Sequence, residues 1–491
     1  MNVTYLEEPE LEFGAAGKHI DIRFGITDYG PLDVESRLAP RLINLGIVGS
    51  CQSVEQVRDW FDRCRDEIPA KSSKGDPGKP NKQPNLFTRF PGFNTETAFR
   101  STLVMQEALC RAIPESHIVE IAKLPDRNDR IARAVDLFTA EVQYLAQKNS
   151  PHVIVCAVPD QLLGMMEARG ANDDEEDELV ASIFESDLDF HDMLKAYAMQ
   201  QYRMPIQIVL PLTYGGSVRP SSQSSRRRRE LQDEATRAWN IHTALYYKAR
   251  GVPWRLPRES ADLTVCYIGI SFYRSLDESA LLTSVAQVFN ERGEGVVVRG
   301  GSANISKEDR QPHLPEQEAY DLATQALARY REEHKTLPAR VVVHKSSRFE
   351  SGERQGFEAA LREGNVSNRD FLWVSHSDTK LYRAGRYPPL RGTLLRLDDH
   401  EMALYTRGSV DFFETYPGRY VPTPLRIRSE SADQTQRFLA NEILALTKMN
   451  WNKTQFDGAE PITLQASRKC SNILRYCSAG RAIEPRYSFY M

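Results

Sequence analysis

Four polar side chains in the middle of the chain have the types and spacing of a phosphate-binding set. His191 and Lys195 are four residues apart in a predicted helix, so they share one face. Gln207 opens a predicted strand, and Lys248 lies near the end of a later helix. An imidazole, two ammonium groups and an amide can all donate hydrogen bonds to phosphate oxygens. Each of them alone is more often a solvated or helix-end side chain, so the hypothesis depends on the ordered set.

A second position of interest is Ser271, near the end of the apolar segment LTVCYIGISFY (263–273). The density of Val, Ile, Tyr and Phe predicts a buried strand. In many nucleases such a strand ends with an aspartate that binds a catalytic metal ion, and a serine hydroxyl does not supply that charge. Three carboxylates follow in the same region, and without the geometry of a two-metal site they are interpreted as surface-loop residues: Asp277, Glu278 and Asp309.

The elements that must position these side chains alternate between strands and helices. This order predicts an α/β fold with a parallel sheet, followed from residue 262 by a second α/β unit whose element order is that of an RNase H-like fold. Short strands separated by Gly and Pro turns are predicted for residues 12–50. Helices are predicted at 53–65, 126–149, 188–202, 231–250, 316–335, 351–363 and 434–448, and strands at 152–159, 205–212, 263–273, 296–300, 339–344, 371–376, 393–397 and 402–406.

Composition narrows the class of protein. The chain has 491 residues, of which 41% are apolar and 26% charged, enough for two or three domains with substantial cores. The net charge of −4 does not by itself indicate a nucleic-acid binder. Seven scattered cysteines without a CxxC pair argue against a disulfide framework or a zinc site. The start lacks the features of a signal peptide, and no apolar run approaches the roughly 20 residues of a membrane span, so a cytoplasmic protein is expected.

Two charged segments lie in predicted loops. ANDDEEDE (171–178) has no ligand-spaced histidine and no EF-hand pattern, so it is interpreted as a solvated insertion. The arginines of SVRPSSQSSRRRRE (217–230) either follow a nucleic-acid backbone or have no fixed contact. The sequence leaves both interpretations open.

Five segments together give the chain a resemblance to a known family. They are FGITDYGPLD, the junction ALYYKARGVPWRL, the strands LTVCYIGIS and VVVHKSS, and LTKMNWNKTQFDGAEPIT near the end. The chain resembles a short prokaryotic Argonaute, which consists of a MID and a PIWI domain without the N and PAZ domains. The resemblance implies an N-terminal strand segment packed on the core (1–40), a Rossmann-like MID domain (41–258) and an RNase H-like PIWI domain (259–491).

In that family the MID pocket holds the 5′-phosphate of a guide strand, and its pattern matches His191, Lys195, Gln207 and Lys248. Members often have tyrosine where this chain has His191. A histidine can still stack on the first base and donate to the phosphate, with a charge that depends on pH. The family also uses its C-terminal carboxylate, so the resemblance implies that Met491, at the end of EPRYSFYM, binds Mg²⁺ beside the guide phosphate. A frayed apolar terminus is the alternative.

Family members that cleave a target hold two divalent ions with three acidic residues and a fourth Asp or His. Ser271 stands at the first of these positions, and the turn HKSS places Lys345 or Ser346 at the third. The fourth falls near Arg468 and Lys469. A hydroxyl and several cations do not hold two divalent ions, so we predict that this chain has no catalytic residues and is not an enzyme. The lysines would instead hold a backbone phosphate.

The resemblance therefore implies a guide-binding subunit of an antiviral defence system. It would bind a small 5′-phosphorylated guide RNA and recognise complementary single-stranded DNA of a plasmid or phage without cleaving it. Target binding would activate a separate APAZ-domain effector protein, either an NADase or a nuclease, that causes cell death or dormancy. Two alternatives remain: a guided nuclease with a non-standard metal site, and a nucleic-acid-binding protein that uses no guide.

Overall fold

The computed structural model describes most of the chain, with ten internal gaps. The charged segments 171–178 and 217–230 lie outside the described residues, as do Asp277 and Glu278. Within the described part, no helix has both the length and the apolar character needed to cross a membrane. The described ranges are 2–73, 81–148, 150–165, 188–214, 232–258, 263–276, 280–289, 295–384, 388–418, 420–478 and 481–491.

The described strands belong to two large sheets and two small ribbons. They are β1 (Asn2–Tyr5), β2 (Leu11–Glu12), β3 (Lys18–His19), β4 (Leu42–Ser50), β5 (Thr102–Val104), β6 (Cys110–Ile113), β7 (Val153–Ala157), β8 (Ile206–Val209), β9 (Val265–Arg274), β10 (Leu281–Phe289), β11 (Gly295–Val298), β12 (Asn304–Ile305), β13 (Pro312–His313), β14 (Arg340–Lys345), β15 (Asn368–His376), β16 (Thr393–Arg396), β17 (Glu401–Leu404) and β18 (Leu425–Ala432).

The described α-helices pack on these sheets. They are α1 (Ile22–Tyr29), α2 (Cys51–Arg63), α3 (Glu115–Ala122), α4 (Arg127–Lys148), α5 (Phe190–Tyr202), α6 (Glu234–Lys248), α7 (Glu316–His334), α8 (Ser351–Glu363), α9 (Gln436–Leu446) and α10 (Ile462–Leu474).

The first sheet has five parallel strands, as the strand–helix–strand order predicted. Its order is β5-β4-β7-β8, and β6 also pairs with β4. The central strand β7 is buried along its whole length, which is typical of a parallel sheet covered on both faces. Helices α5 and α6, which carry three of the four predicted phosphate ligands, belong to this unit.

The second sheet has nine strands in the order β1-β16-β17-β18-β15-β14-β9-β10-β11. Its centre is the parallel set β9, β14 and β15, and antiparallel strands extend it on both sides. On β9, Ile268 and Ile270 face one apolar cluster together with residues of α7 and α8. The alternate residue Gly269 lies against the backbone of α10, because a Cβ there would approach the carbonyl oxygen of Thr463 to 2.1 Å. Helix α10 therefore covers one face of this sheet, and α7 and α8 cover the other.

The N-terminal region departs from the predicted run of short strands because α1 interrupts it. The Asp21 side chain caps this helix by accepting hydrogen bonds from the backbone N–H groups of Arg23 and Phe24. Ile22 and Ile26, four residues apart, are both buried on one helix face. The prediction of strands throughout 12–50 was therefore wrong over this helix, while β4 follows as predicted.

The two ends of the chain are both built into the fold. At the start, β1 adds to the second sheet by pairing with β16. At the end, Arg486 pairs with Val296 of β11, and the backbone N–H of Val297 donates to the carbonyl of Pro485 at 2.6 Å. The last residue, Met491, is only 2% exposed. The structure thus buries the terminus instead of leaving it frayed. The limits of the two predicted domains stay a prediction.

Candidate functional site

The N-terminal half of α5 positions His191 and Lys195. Asp189 caps the helix, since its side chain accepts from the backbone N–H of Asp192 at 2.9 Å. The backbone N–H of Asp189 in turn donates to the hydroxyl of Tyr476 at 2.9 Å. The start of α5 is therefore fixed against the segment that follows α10, and His191 and Lys195 project from one face of the helix.

Two of the lysines predicted to bind phosphate both donate hydrogen bonds to the C-terminal carboxylate. Lys248, the last residue of α6, donates from Nζ to the terminal oxygen of Met491 at 2.8 Å. Lys195 donates from Nζ to the same oxygen. Both lysines are only 2% exposed. Two cations of the first unit thus hold a carboxylate supplied by the far end of the chain.

Lys469 is a third cation at this place. It lies on α10 and was predicted to stand at a former catalytic position. Instead its charge lowers the pKa of both Lys195 and Lys248. Thr463 and Ser471 of α10 contact the second sheet, and Lys469, two residues before Ser471, projects about 200° away on the helix. The structure therefore assigns Lys469 to the lysine pocket, which we define as Lys195, Lys248, Lys469 and the carboxylate of Met491.

The electrostatics of the lysine pocket favour an anion. Burial, followed by the charge of Lys469, lowers the pKa of Lys195 to about 7. Burial and the neighbouring lysines hold the pKa of Lys248 well below its ordinary value. The nearby carboxylates of Asp192 and Asp189 oppose the shift of Lys195. A bound anion would stabilise the charged ammonium groups further and return both pKa values toward the ordinary range.

The other two predicted phosphate ligands lie in the same unit but differ in their contacts. The side chain of His191 is 43% exposed, and its Nδ1 is 3.0 Å from Oδ1 of Asp192. Gln207, on β8, donates from Nε2 to the carbonyl of Ile208 at 3.2 Å. Its Oε1 is buried and has no hydrogen-bond partner among the described residues. The structure brings the lysines together with Met491, but among the described residues it shows no contact between Gln207 and them.

Ser271 lies on the face of the second sheet that α10 covers. It is 5% exposed, and its Oγ is 3.1 Å from Oγ of Ser471. Ser471 donates to the carbonyl of Ser467 at 3.0 Å. On the same face His344 contacts the hydroxyl of Thr463 at 2.8 Å, and burial lowers the pKa of His344 to about 3. The hydrogen bonds described around Ser271 are thus made by hydroxyl groups and a neutral imidazole.

Lys345 does not share this face. It pairs with Ile270, whose side chain belongs to the cluster on the opposite side of the sheet. Its Nζ donates to Glu353 Oε2 at 2.6 Å and to the carbonyl of Arg348 at 2.7 Å, and the side chain is fully buried. The sequence placed Lys345 beside Ser271 as a possible phosphate contact. The structure corrects this, because Lys345 forms an internal ion pair. The alternative, Ser346, follows at the end of β14.

In the described part of the chain, a cluster of three side chains and the carboxylate of Met491 offer ligand atoms for a metal ion. Asp189, His191 and Asp192 place one ligand atom each within 4.8 Å of one another, but Asp189 already caps α5 and Asp192 contacts His191. The carboxylate of Met491 is an oxygen donor suited to Mg²⁺, which keeps several waters and takes one or two carboxylates together with phosphate oxygens. The lysine pocket therefore fits Mg²⁺ only together with a phosphate. Without a phosphate, Lys195 and Lys248 both donate hydrogen bonds to the carboxylate that would bind the ion.

The fold was compared with known proteins. No family model matches the sequence, and no curated protein does either. Among solved structures, Clostridium butyricum Argonaute bound to a guide DNA and a 19-mer target DNA matches with a TM-score of 0.65 at 14% identity, over 99% of this chain and 54% of that one. The Argonaute of A. aeolicus matches with a TM-score of 0.57 at 11% identity, over 98% of this chain and 54% of that one. Drosophila Piwi matches with a TM-score of 0.55 at 13% identity, over 99% and 56%.

These similarities concern the fold. The chain spans about half the length of the Argonaute structures it matches. The five-stranded parallel unit followed by the nine-stranded RNase H-like unit is consistent with a MID domain followed by a PIWI domain. Over nearly its whole length, the chain therefore has an Argonaute-like fold.

Proposed function

We propose that this protein binds the 5′-phosphate of a small guide RNA in the lysine pocket and uses the guide to recognise complementary single-stranded DNA. The observation that carries the proposal is the convergence of Lys195 and Lys248 on the carboxylate of Met491, with Lys469 beside them. Three cations around one buried carboxylate form a site for an additional anion. A terminal phosphate has the charge and the acceptor oxygens for that role.

Mg²⁺ belongs to this proposal as a bridge. A phosphate beside the carboxylate of Met491 adds negative charge to a buried site. The carboxylate would hold the ion together with phosphate oxygens, the ion would supply positive charge there, and Lys195 and Lys248 would donate to the phosphate. Gln207 and the exposed edge of His191 would complete the set, since both belong to the same unit as the two lysines.

The second part of the proposal is that the PIWI-like unit holds a guide–target duplex without cutting it. Support comes from the hydroxyl at Ser271 and from its contact with the hydroxyl of Ser471. Two-metal cleavage needs several carboxylates, one of which would be expected at the position of Ser271. Sequence recognition would come from base pairing with the guide, while the protein contacts backbone and shape.

The third part is a partner protein, an APAZ-domain effector with NADase or nuclease activity that target binding activates. One observation supports a protein partner. The strand β1 is an edge strand of the second sheet, and its side chains Val3 and Tyr5 are 55% and 43% exposed. An exposed apolar edge of this kind is normally covered, and an extended segment of another protein can pair with it.

The guide pocket is tested by measuring the affinity of the purified protein for one RNA with either a 5′-phosphate or a 5′-hydroxyl. We expect the phosphate to raise the affinity at least tenfold and the double variant Lys195→Ala/Lys248→Ala to remove most of that difference. The control is Lys307→Ala/Lys335→Ala, which deletes two exposed lysines of the second unit. If the pocket variant lowers the affinity for both RNAs equally, and the affinity of both falls equally as the salt concentration rises, the protein is a nucleic-acid binder that uses no guide.

A further inference from the structure

We propose that Asp192 is a positioning residue, which orients His191 toward the 5′ end of the guide. The inference rests on the function proposed above. It starts from the contact between Nδ1 of His191 and Oδ1 of Asp192, 3.0 Å apart on the first turn of α5. The sequence patterns and the resemblance single out His191, but they give no role to Asp192.

The position of Asp192 is fixed by its surroundings. Its side chain is 8% exposed, whereas that of His191 is 43% exposed. The cap by Asp189 and the bond from Asp189 to Tyr476 hold this turn against the end of α10. A buried carboxylate is stable only with donors around it, and the imidazole N–H is one of them. Asp192 is therefore part of the framework, and His191 is the exposed member of the pair.

This contact selects one tautomer of His191. A carboxylate accepts only, so Nδ1 must carry the proton. The other ring nitrogen, Nε2, can then accept from a base when the ring is neutral and donate to a phosphate when it is protonated. Burial and the charge of Lys195 lower the pKa of His191, and Asp192 opposes them. The carboxylate thus keeps the ring oriented and favours the form that can donate to an anion.

The position of Lys195 indicates that the oriented imidazole of His191 faces the lysine pocket. His191 and Lys195 are four residues apart on α5, so the imidazole stands over the same helix face from which Lys195 reaches the Met491 carboxylate. A guide phosphate that contacts Lys195 would lie within reach of Nε2. A ring released by loss of Asp192 would keep its bulk for stacking, but it would no longer present one defined nitrogen.

The test is the variant Asp192→Asn, which keeps the shape but allows the amide to accept or donate. We expect the affinity for the 5′-phosphorylated RNA to fall about fivefold to tenfold and the affinity for the 5′-hydroxyl RNA to change less than twofold. In ¹⁵N-histidine-labelled protein, the His191 signals should change from a single Nδ1–H form to a mixture. The variant His191→Tyr identifies those signals by their loss.

A double-mutant cycle separates positioning from simple loss of charge. A phenol has no tautomers, so in the His191→Tyr background Asp192→Asn should have no effect beyond that of Asp189→Asn, since the charges of both carboxylates also act on Lys195. Asp189→Asn is the matched control, because it removes a neighbouring charge and retains a helix cap. The proposal is overturned if Asp192→Asn weakens binding equally in the natural chain and in the His191→Tyr background, or if the tautomer is unchanged. Such a result leaves the lysine pocket intact, since that depends on the separate loss in the Lys195/Lys248 variant.

Discussion

At the scale of single residues, the lysine pocket is a site whose charges are incompletely balanced. Lys195 and Lys248 are almost fully buried and share one carboxylate, and Lys469 adds its charge to both. Burying a charge is costly, and burial is the first cause of the lowered pKa of Lys195, about 7. A dianionic phosphate would restore the balance. The same residues therefore explain both the lowered pKa values and the affinity expected for an anion.

Ser271 gives a prediction about the face of the second sheet that α10 covers. We expect Ser271→Asp to lower the free energy of unfolding by about 2 kcal/mol, because it places a carboxylate at a buried position whose described contact is the hydroxyl of Ser471. Neither the natural protein nor the variant should cleave a target strand with Mg²⁺ or Mn²⁺, since a single carboxylate does not hold two metal ions. Thermal unfolding and a cleavage assay on a guide–target complex measure the two effects.

The control for this variant is Ser271→Ala, which removes the hydroxyl without adding charge and should cost less than Ser271→Asp. A variant that Mn²⁺ stabilises, or a discrete cut opposite the middle of the guide, would show that a metal site is assembled on this face after all. In that case the guided nuclease with a non-standard site would replace the binding protein.

At the scale of elements, the sequence predicted the long periodic helices and the apolar strands of both units. Helices α4, α7 and α8 and strands β7, β9 and β14 all lie within two residues of their predicted limits. Their patterns are strong because one helix face or a whole strand is buried. Strands β5, β6, β10 and β18 and helices α3 and α10 were not predicted from the sequence. For α10 a signal was present, because Ile462, Ala466 and Cys470 are spaced four apart and are all buried.

The candidate site shows where prediction from sequence ends. The lysine pair was predictable because i, i+4 spacing and helix ends are local features. The place of Lys469 was not, since it depends on the orientation of α10 between the two units. Lys345 was assigned to the face of Ser271, but in a strand successive side chains alternate, so an error of one residue moves a side chain across the sheet. The partner of Lys345, Glu353, lies on a different element.

The C-terminal tail is an element whose role can be tested directly. Adding two glycines after Met491 would convert its carboxylate into a peptide carbonyl and move the charge away from Lys195 and Lys248. We expect the affinity for the 5′-phosphorylated RNA to lose its dependence on Mg²⁺, because the bridging carboxylate is displaced. The measurement compares affinity in Mg²⁺ and in EDTA for both chains. If Mg²⁺ raises the RNA affinity of the extended chain as much as that of the natural chain, the carboxylate of Met491 is not a metal ligand.

At the scale of the whole molecule, both ends of the chain connect the two units. The tail covers β11 of the second sheet and ends in the pocket of the first unit. The N-terminal segment pairs with β16, and its Glu12 forms an ion pair with Arg255 at the junction between the units, with atoms 3.0 Å apart. Asp33 accepts a hydrogen bond from Tyr246 at 2.6 Å. Residues far apart in sequence thus hold the units together.

Glu8 makes a charged contact that fixes the N-terminal segment. It accepts from Arg391 Nε at 2.8 Å, and Lys448 Nζ lies 3.1 Å away. Burial alone would raise the pKa of Glu8, but Arg391 and Lys448 outweigh it and the pKa is lowered. We expect Glu8→Gln to lower the free energy of unfolding by about 3 kcal/mol, because it leaves two largely buried cations without their shared carboxylate. The neighbouring Glu7 is exposed, so Glu7→Gln should have almost no effect.

The pH dependence of this loss identifies its cause. Because the pKa of Glu8 is lower in the folded chain than its ordinary value of 4.5, the unfolded chain binds the proton more readily. The stabilisation by Glu8 is therefore fully present above about pH 5, and it disappears as the pH falls through the lower folded value. The difference in stability between the natural chain and Glu8→Gln, measured by denaturant unfolding, should shrink on acidification. A difference that stays constant down to about pH 3 would mean that the glutamine disturbs packing and that the ion pairs contribute little to joining the units.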